Sequence, residues 1–228
     1  MCVALLSWFP PFYTYTLEVQ KPALHFQVNR EYLNERSEKY CKSFIDNAVP
    51  EINSLLYADD LVLWSTSSDI PKLESTLNSA LMTLANWSLE NDSKVNPNKT
   101  NFELFTLSIK KHNINLVYNK NALLRTNCAT YLGISLDSRL TWTKYIAKVV
   151  ENATSRLSLL KRIAGVKWGS SQSVLTSTFT SYIRPVIDYG SELFVTASDS
   201  ALSKLDIVQN KALRFIIGVN TLTPINTM

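Results

Sequence analysis

The chain has 228 residues, of which 46% are hydrophobic and 18% charged, and it contains only five glycines and eight prolines. This composition excludes collagen, a low-complexity tail and a disordered acidic chain, because so much apolar surface must be buried in a core. Residues 1–139 hold 13 basic and 14 acidic side chains, whereas residues 140–228 hold 10 basic and 5 acidic ones. The cationic last part is compatible with an anionic partner such as nucleic acid, and equally with an ordinary basic surface.

The cysteines and the amino-terminal run restrict the cellular setting. Cys2, Cys41 and Cys128 are widely spaced and odd in number, which predicts reduced thiols rather than a disulfide framework or a zinc site. The uncharged run of residues 1–17 is interrupted by two prolines, is too short to cross a bilayer and lacks the basic start of a signal peptide. The sequence therefore predicts an intracellular protein that is neither secreted nor embedded in a membrane.

Residues 1–43 show no clear apolar face and no motif, although their charged second half could form a helix. After them, the apolar runs Leu55–Tyr57 and Leu61–Trp64 flank an acidic centre and predict a strand, a turn and a second strand. A helix is predicted next, with Ser68 or Asp69 as its cap, Pro71 in its first turn and leucines at helical spacing. Further strands are predicted at Asn101–Leu107, Ile114–Tyr118 and Thr130–Leu136.

The last third of the chain predicts helices. Residues 141–164 place apolar side chains on one side and Lys144, Lys148 and Arg162 on the other. A second helix is predicted for residues 172–189, kinked or ended by a proline, and a third for residues 199–217, stopped by a glycine. The tryptophans at positions 64, 87 and 142 are interpreted as packing residues rather than base-stacking platforms.

The adjacent pair Asp59 and Asp60 is the strongest candidate for chemistry. Two carboxylates at a tight turn repel each other unless a cation or a donor compensates. Mg²⁺ binds through one or two carboxylates together with substrate phosphates, so the pair could be half of a two-metal phosphoryl-transfer site. From residue types alone, a solvated turn is the more common explanation.

The residues around this pair resemble a known family. The segment LLYADDLVLW resembles the YxDD box of reverse transcriptases, and most of all that of non-LTR, LINE-type retrotransposons of the Jockey-like group. Later segments resemble the next palm block, the primer-grip hairpin, the thumb and the post-thumb region in the same order. These segments are NWSLENDSKVNPNKTNFELF, YLGISLDSRLTW, LLKRIAGVKWG, YIRPVIDYGSELF and KLDIVQNKALRFIIGV. The resemblance runs from about residue 44 to the end.

The resemblance implies a role for each matching residue. Asp59 and Asp60 would be catalytic and bind Mg²⁺, and Lys99 would lie near the incoming triphosphate and donate a proton to the leaving pyrophosphate. Nucleic-acid contacts would come from both parts of the chain. The residues implied are Tyr57, Tyr131, Leu132, Gly133, Lys144, Lys148 and Arg162.

The resemblance also implies an architecture. The fold class is expected to be α+β, with a partial polymerase palm of antiparallel strands and a packed helix over residues 44–139. A helical thumb and post-thumb region would follow over residues 140–228, and residues 1–43 stay unassigned. Expected partners are an RNA template, a DNA primer and dNTPs, without a membrane. The rest of a polyprotein, including fingers, endonuclease and RNase H, is a further expected partner.

One part of the family pattern is missing before Tyr57. Neither the earlier palm block with its own aspartate nor a PQGS-type block is found there, and Asp46 is too close to the YADD segment to replace that aspartate. Because metal and electrostatic terms dominate phosphoryl transfer, the polypeptide alone is expected to be inactive. Two alternatives stay open: a non-catalytic nucleic-acid-binding remnant that uses the basic thumb, and a translated relic without a role.

Overall fold

The structure is a computed structural model, and it describes residues 23–29, 47–57, 60–91, 95–164 and 170–219. The predicted turn residue Asp59 and the charged stretch of residues 30–42 lie outside the described residues. The chain divides into two compact units. The first comprises residues 1–131 and 137–139, and the second comprises residues 132–136 and 140–228.

A five-stranded sheet organises the first unit, with the strand order β2-β3-β1-β4-β7. The strands of this sheet are β1 Ala23–Asn29, β2 Asn53–Tyr57, β3 Asp60–Thr66, β4 Asn101–Phe105 and β7 Leu124–Arg125. The short strands β5 Val117–Tyr118 and β6 Asn121–Ala122 form a separate pair. All pairings in the large sheet are antiparallel except that of β4 with β7.

Helix α1, Ile70–Glu90, covers the core of the first unit. Its leucines at helical spacing, including Leu73, Leu77 and Leu84, are almost completely buried and belong to the same cluster as Leu61 of β3 and Phe102 of β4. Fully burying a leucine contributes about 1.5–3 kcal/mol relative to leaving it exposed. This stripe therefore fixes the helix to the sheet.

The second unit is mainly helical, as predicted. Its elements are α2 Thr143–Ile163, α3 Gln172–Thr178, a π-helical segment Phe179–Ile183, α4 Arg184–Asp188, a 3₁₀ segment Ser191–Thr196 and α5 Asp199–Ile217. Helix α2 packs against α5, and Val149, Ala153 and Leu157 form part of its buried stripe. Gly218 ends α5 with φ +76°, a left-handed conformation that glycine adopts without steric cost.

Strands β8 Cys128–Tyr131 and β9 Ile134–Asp137 occupy the boundary between the two units along the chain. The single strand predicted for Thr130–Leu136 is therefore wrong, because Leu132 and Gly133 form a turn with positive φ values of +47° and +80°. The strand predicted for Ile114–Tyr118 is reduced to its last two residues.

The unassigned first 43 residues contain an element that the sequence analysis missed. Strand β1 lies at the centre of the large sheet, between β3 and β4. Its sequence ALHFQVN alternates apolar and polar residues from Leu24 to Val28, which is the pattern of a strand. The segments on either side of these seven residues show no clear apolar face, so the strand was not predicted.

The described residues mix helix and strand, which confirms the α+β class at that level. No helix in the described ranges is both long and apolar enough to cross a bilayer.

Candidate functional site

The acidic segment follows β2 and continues into β3. Tyr57, the last residue of β2, and Asp60, the first residue of β3, are register partners in this antiparallel pair. The side chain of Tyr57 is 62% exposed, whereas Asp60 is half-buried.

The sheet brings Lys99 to the same end of its strands as Asp60. Strands β3 and β4 both pair antiparallel with β1. They therefore run in the same direction and begin at the same end of the sheet. Asp60 is the first residue of β3, and Lys99 lies two residues before β4. With one strand between them, β3 and β4 are about 10 Å apart. Two of the predicted catalytic residues thus lie at one end of the sheet.

Asn96 shapes the turn that presents Lys99. Its main-chain carbonyl accepts a hydrogen bond of 2.7 Å from the hydroxyl of Thr100, and its side-chain oxygen accepts one of 3.0 Å from the N–H of Asn98. The N–H of Lys99 also donates to the Asn96 carbonyl, at 3.3 Å. The lysine side chain is exposed, so the turn holds the backbone while the ammonium group stays free to reach a ligand.

Tyr131 lies in the electrostatic field of the hairpin. Its side chain is buried, and burial raises the pKa of the Tyr131 phenol to about 12, with smaller contributions from the charges of Asp60 and Tyr57. Three of the predicted residues, from the hairpin and from the end of β8, are therefore electrostatically coupled. Tyr131 is covered by the protein, whereas Tyr57 is open to solvent.

Glu103 is a functional candidate that sequence reasoning missed. It is completely buried on β4, and its carboxylate accepts a hydrogen bond of 2.5 Å from the N–H of Ala129. Ala129 lies two residues before Tyr131 on β8, so the carboxylate positions the strand that carries this tyrosine. In the sequence, Glu103 is a single charged residue between Phe102 and Leu104. A strand with one solvent-exposed face has the same pattern, so the pattern does not indicate a buried carboxylate.

A two-metal magnesium site needs two or more carboxylates that converge on one place. Asp60 is opposite Tyr57 on one side and opposite Asn29 of β1 on the other. No group of three or more acidic, histidine or cysteine side chains that could hold a metal occurs among the described residues. Asp59, the other carboxylate of the pair, lies outside the described residues. Asp60 is therefore the one member of the YADD pair whose position the structure gives.

In the second unit, Tyr189 holds the turn predicted to contact the primer. Its hydroxyl donates a hydrogen bond of 2.6 Å to the carbonyl of Leu132, while its own carbonyl accepts one of 3.0 Å from the hydroxyl of Tyr145. Burial raises the pKa of the Tyr145 phenol to about 12, with a smaller contribution from Tyr189. Leucine rarely adopts positive φ, so this turn needs such support. Gly133 beside it is exposed.

The predicted cations Lys144, Lys148 and Arg162 are all exposed on α2. Only Lys148 lines a cavity of about 390 Å³ between α2 and α4, which we call the α2–α4 groove. The groove is lined by Gly133, Tyr145, Lys148, Val149, Asn152, Arg156, Pro185, Val186 and Tyr189. Sequence analysis identified Gly133 and Lys148 but missed Asn152, Arg156 and Tyr189, because their convergence depends on packing between helices.

Known proteins show the same relationship as the motifs. The chain is 28% identical over 161 residues to the probable RNA-directed DNA polymerase from transposon BS of Drosophila melanogaster. This match covers 70% of the chain and 18% of that protein. It is 27% identical over 192 residues to the probable RNA-directed DNA polymerase from transposon X-element of Drosophila melanogaster. That match covers 78% of this chain and 20% of that protein. It is 26% identical over 166 residues to the RNA-directed DNA polymerase from mobile element jockey of Drosophila melanogaster. That match covers 71% of this chain and 18% of that protein.

The chain spans about a fifth of the length of these Drosophila proteins. No protein-family profile matches the chain, and no solved structure does so. Similarity to several transposon polymerases over more than two thirds of the chain nevertheless agrees with the ordered motifs. These comparisons confirm the resemblance of the chain to the reverse transcriptases of non-LTR transposons.

Proposed function

We propose that this chain is the carboxyl-terminal palm and thumb portion of a transposon reverse transcriptase. Residues 44–139 would form the palm portion, and residues 140–228 the thumb and post-thumb portion. The complete enzyme would add dNTPs to a DNA primer on an RNA template and would use Mg²⁺. The observation that carries the proposal is the placement of Asp60 and Lys99 at one end of the sheet.

Within this proposal the residues of the first unit have distinct tasks. Asp60 supplies negative charge at the hairpin tip, and the exposed ring of Tyr57 offers a surface against which the primer end can pack. Lys99 projects from its turn toward solvent, where it can neutralise a triphosphate and donate a proton to the leaving pyrophosphate. Since β1 fills the space of about 10 Å between the two strands, a nucleotide that meets both residues would bind beyond the end of the sheet.

We further propose that the isolated chain does not polymerise DNA at a useful rate. The support is the sequence, in which no earlier palm block with its own aspartate is found before Tyr57. Preorganised charge supplies most of the barrier lowering in phosphoryl transfer. A site without the aspartate of that block loses much of this contribution.

A chimera tests the proposed function. The full chain replaces the matching region of the jockey polymerase, and primer extension is measured on a homopolymeric RNA template with dTTP and Mg²⁺. We expect extension by the chimera, loss of at least about a hundredfold in Asp59→Ala or Lys99→Ala, and no extension by the isolated chain. A Lys72→Ala chimera is the matched control, because Lys72 lies on α1 and pairs with Glu51 at 3.1 Å. A chimera that stays inactive although folded, or one indifferent to Asp59→Ala, contradicts the proposal.

A further inference from the structure

We propose that the slot between β3 and β4 is a strand-binding site, and that the partner it fits is a β-strand supplied by a longer transposon polymerase chain. In this chain β1 occupies the slot and stands in for that strand. The kind of partner rests on the proposed function, whereas the slot itself rests on strand pairing within the first unit. The proposal gives a task to part of residues 1–43, to which the family resemblance assigns none.

The slot is bordered by two strands that cannot pair with each other. Strands β3 and β4 run in the same direction, and each pairs antiparallel with β1, through seven register positions on β3 and five on β4. Each lies about 5 Å from β1, so without an occupant the N–H and C=O groups that face the slot would lose their partners. Buried main-chain groups without partners destabilise a fold. The slot therefore requires an extended strand, whichever chain supplies it.

One face of the slot requires apolar residues in its occupant. Four almost completely buried side chains of the cluster under α1 border this face, namely Leu61, Leu63, Phe102 and Leu104. Their register partners on β1 are residues 24, 26 and 28, which are leucine, phenylalanine and valine. Residues directly opposite on neighbouring strands share a face of the sheet. An occupant must therefore carry apolar residues at alternate positions.

The other face of the slot excludes an acidic residue at one position of the occupant. Glu103 of β4 is completely buried on this face, and its register partner on β1 is residue 25, a histidine. The Cβ atoms of such a pair lie about 4.5–5.5 Å apart, and like charges directly opposite each other destabilise the pairing. A shift of the occupant by one residue would also move all its apolar residues to this face. The two faces together therefore select one register.

The partner follows from where the similarity to transposon polymerases lies. Strands β2, β3 and β4 belong to the part of the chain that resembles those proteins, from about residue 44 onward, whereas β1 precedes that part. The chain spans about a fifth of the length of these relatives. A polymerase that shares β3 and β4 in this arrangement needs a strand of its own between them. That strand comes from outside the shared part, so it can compete with β1 when it is supplied in trans.

Rescue of a full-length variant by a synthetic peptide tests the slot. Proline at position 26 removes a ladder hydrogen bond in the middle of the sheet, so Phe26→Pro should lower the melting temperature by about 10 °C or more. A peptide of residues 22–30, added during refolding, should restore at least half of that loss. A peptide of the same composition with its apolar and polar positions exchanged is the matched control and should restore none of it.

Substitutions in the peptide test the register. With His25→Glu, the peptide concentration for half-maximal rescue should rise at least about fivefold, because a carboxylate would then lie opposite Glu103. With His25→Gln, which is neutral, it should change less than about twofold. Equal effects of the two substitutions would overturn the proposed register and the site with it.

Overlapping peptides that span the jockey polymerase, tested on Phe26→Pro, identify the partner strand. We expect rescue by at least one peptide from outside the matching part, with apolar residues at alternate positions. The unmodified chain should bind that peptide at least about tenfold more weakly than Phe26→Pro does, because covalent attachment gives β1 a high effective concentration. Rescue by the β1 peptide but by no polymerase peptide would overturn the proposed partner.

The remaining outcomes separate the slot from the polymerase proposal. A Phe26→Pro variant as stable as the unmodified chain would overturn the slot. So would equal rescue by the exchanged peptide, or a variant that fails to refold with the β1 peptide where the unmodified chain refolds. Rescue beside an inactive chimera would sink the proposed polymerase but not the slot, whereas an active chimera without rescue would do the reverse.

Discussion

The hydroxyl of Tyr189 donates a 2.6 Å hydrogen bond to the main-chain carbonyl of Leu132, a leucine held at φ +47°. A left-handed conformation costs a residue with a side chain roughly 1–2 kcal/mol. The hydrogen bond offsets part of that cost, since a bond of this kind contributes about 0.5–1.5 kcal/mol. The relationship links a turn with a predicted nucleic-acid contact to the carboxyl-terminal helices that support it.

Removing this hydroxyl should loosen the turn without disturbing the ring. We expect Tyr189→Phe to lower the free energy of unfolding by about 0.5–1 kcal/mol, measured by urea denaturation. Tyr182→Phe is the matched control, because Tyr182 is similarly exposed and contributes its ring and its carbonyl to Arg156. If the two variants lose the same stability, the Leu132 hydrogen bond has no special role.

Three glycines with positive φ should respond differently to alanine. Gly190, at φ +71°, has a built Cβ atom 3.3 Å from Ile134 Cδ1 and 3.3 Å from the Tyr145 hydroxyl. Gly133 and Gly218 have similar φ angles and no atom within 4 Å of a built Cβ. All three alanine variants carry the left-handed strain of roughly 1 kcal/mol.

Only Gly190→Ala adds a steric clash to that strain, so it should lose at least about 1 kcal/mol more stability than Gly218→Ala. Urea denaturation of the three variants measures the difference. Equal losses at positions 190 and 218 would show that the neighbours of Gly190 give way without cost.

The buried phenol of Tyr131 makes stability depend on alkaline pH. Its pKa is raised from 10.0 to about 12 in the folded chain, so the folded state favours the neutral phenol. The corresponding stabilisation is fully present below pH 10 and is lost as the pH rises from 10 to 12. In Tyr131→Phe, unfolding free energy should fall less steeply over this interval than in the unmodified chain.

The contribution of Asp60 to this pKa can be measured separately. Ultraviolet difference titration of Asp60→Asn should give a lower pKa for Tyr131 that still exceeds 10, because burial is the larger cause. Asp206→Asn, on α5 in the second unit, is the control and should leave the titration unchanged. An unchanged curve in Asp60→Asn would remove the electrostatic link between the hairpin and the end of β8.

A further carboxylate beside Asp60 should strengthen metal binding at the hairpin tip. Asn29 is the register partner of Asp60, and residues directly opposite on antiparallel strands have Cβ atoms about 4.5–5.5 Å apart. We expect Asn29→Asp to lower the melting temperature in EDTA through like-charge repulsion and to regain it in millimolar Mg²⁺. Asn29→Ala should show a smaller response to Mg²⁺ than Asn29→Asp, and so should Asn29→Asp combined with Asp60→Ala. An equal response in those controls would place the ion elsewhere.

Local sequence patterns were sufficient for much of the fold. The leucine periodicity of α1 predicted residues 70–90 almost to their ends, and Gly218 marked the end of α5. The two apolar runs on either side of Asp59 and Asp60 predicted strands β2 and β3. These elements are encoded by near neighbours, whose spacing decides which face of a helix or strand is apolar.

Other features depend on residues that are distant along the chain. The position of β1 between β3 and β4 needs pairing across more than thirty residues, and only that pairing places Asn29 opposite Asp60. The support of Leu132 by Tyr189 spans 57 residues. The α2–α4 groove likewise needs two helices to pack before its side chains meet. Hydrophobic spacing identifies which face of an element is buried but not which partner buries it. The register partner of Asp60, the support of Leu132 and the lining of the α2–α4 groove were therefore decided by the tertiary structure.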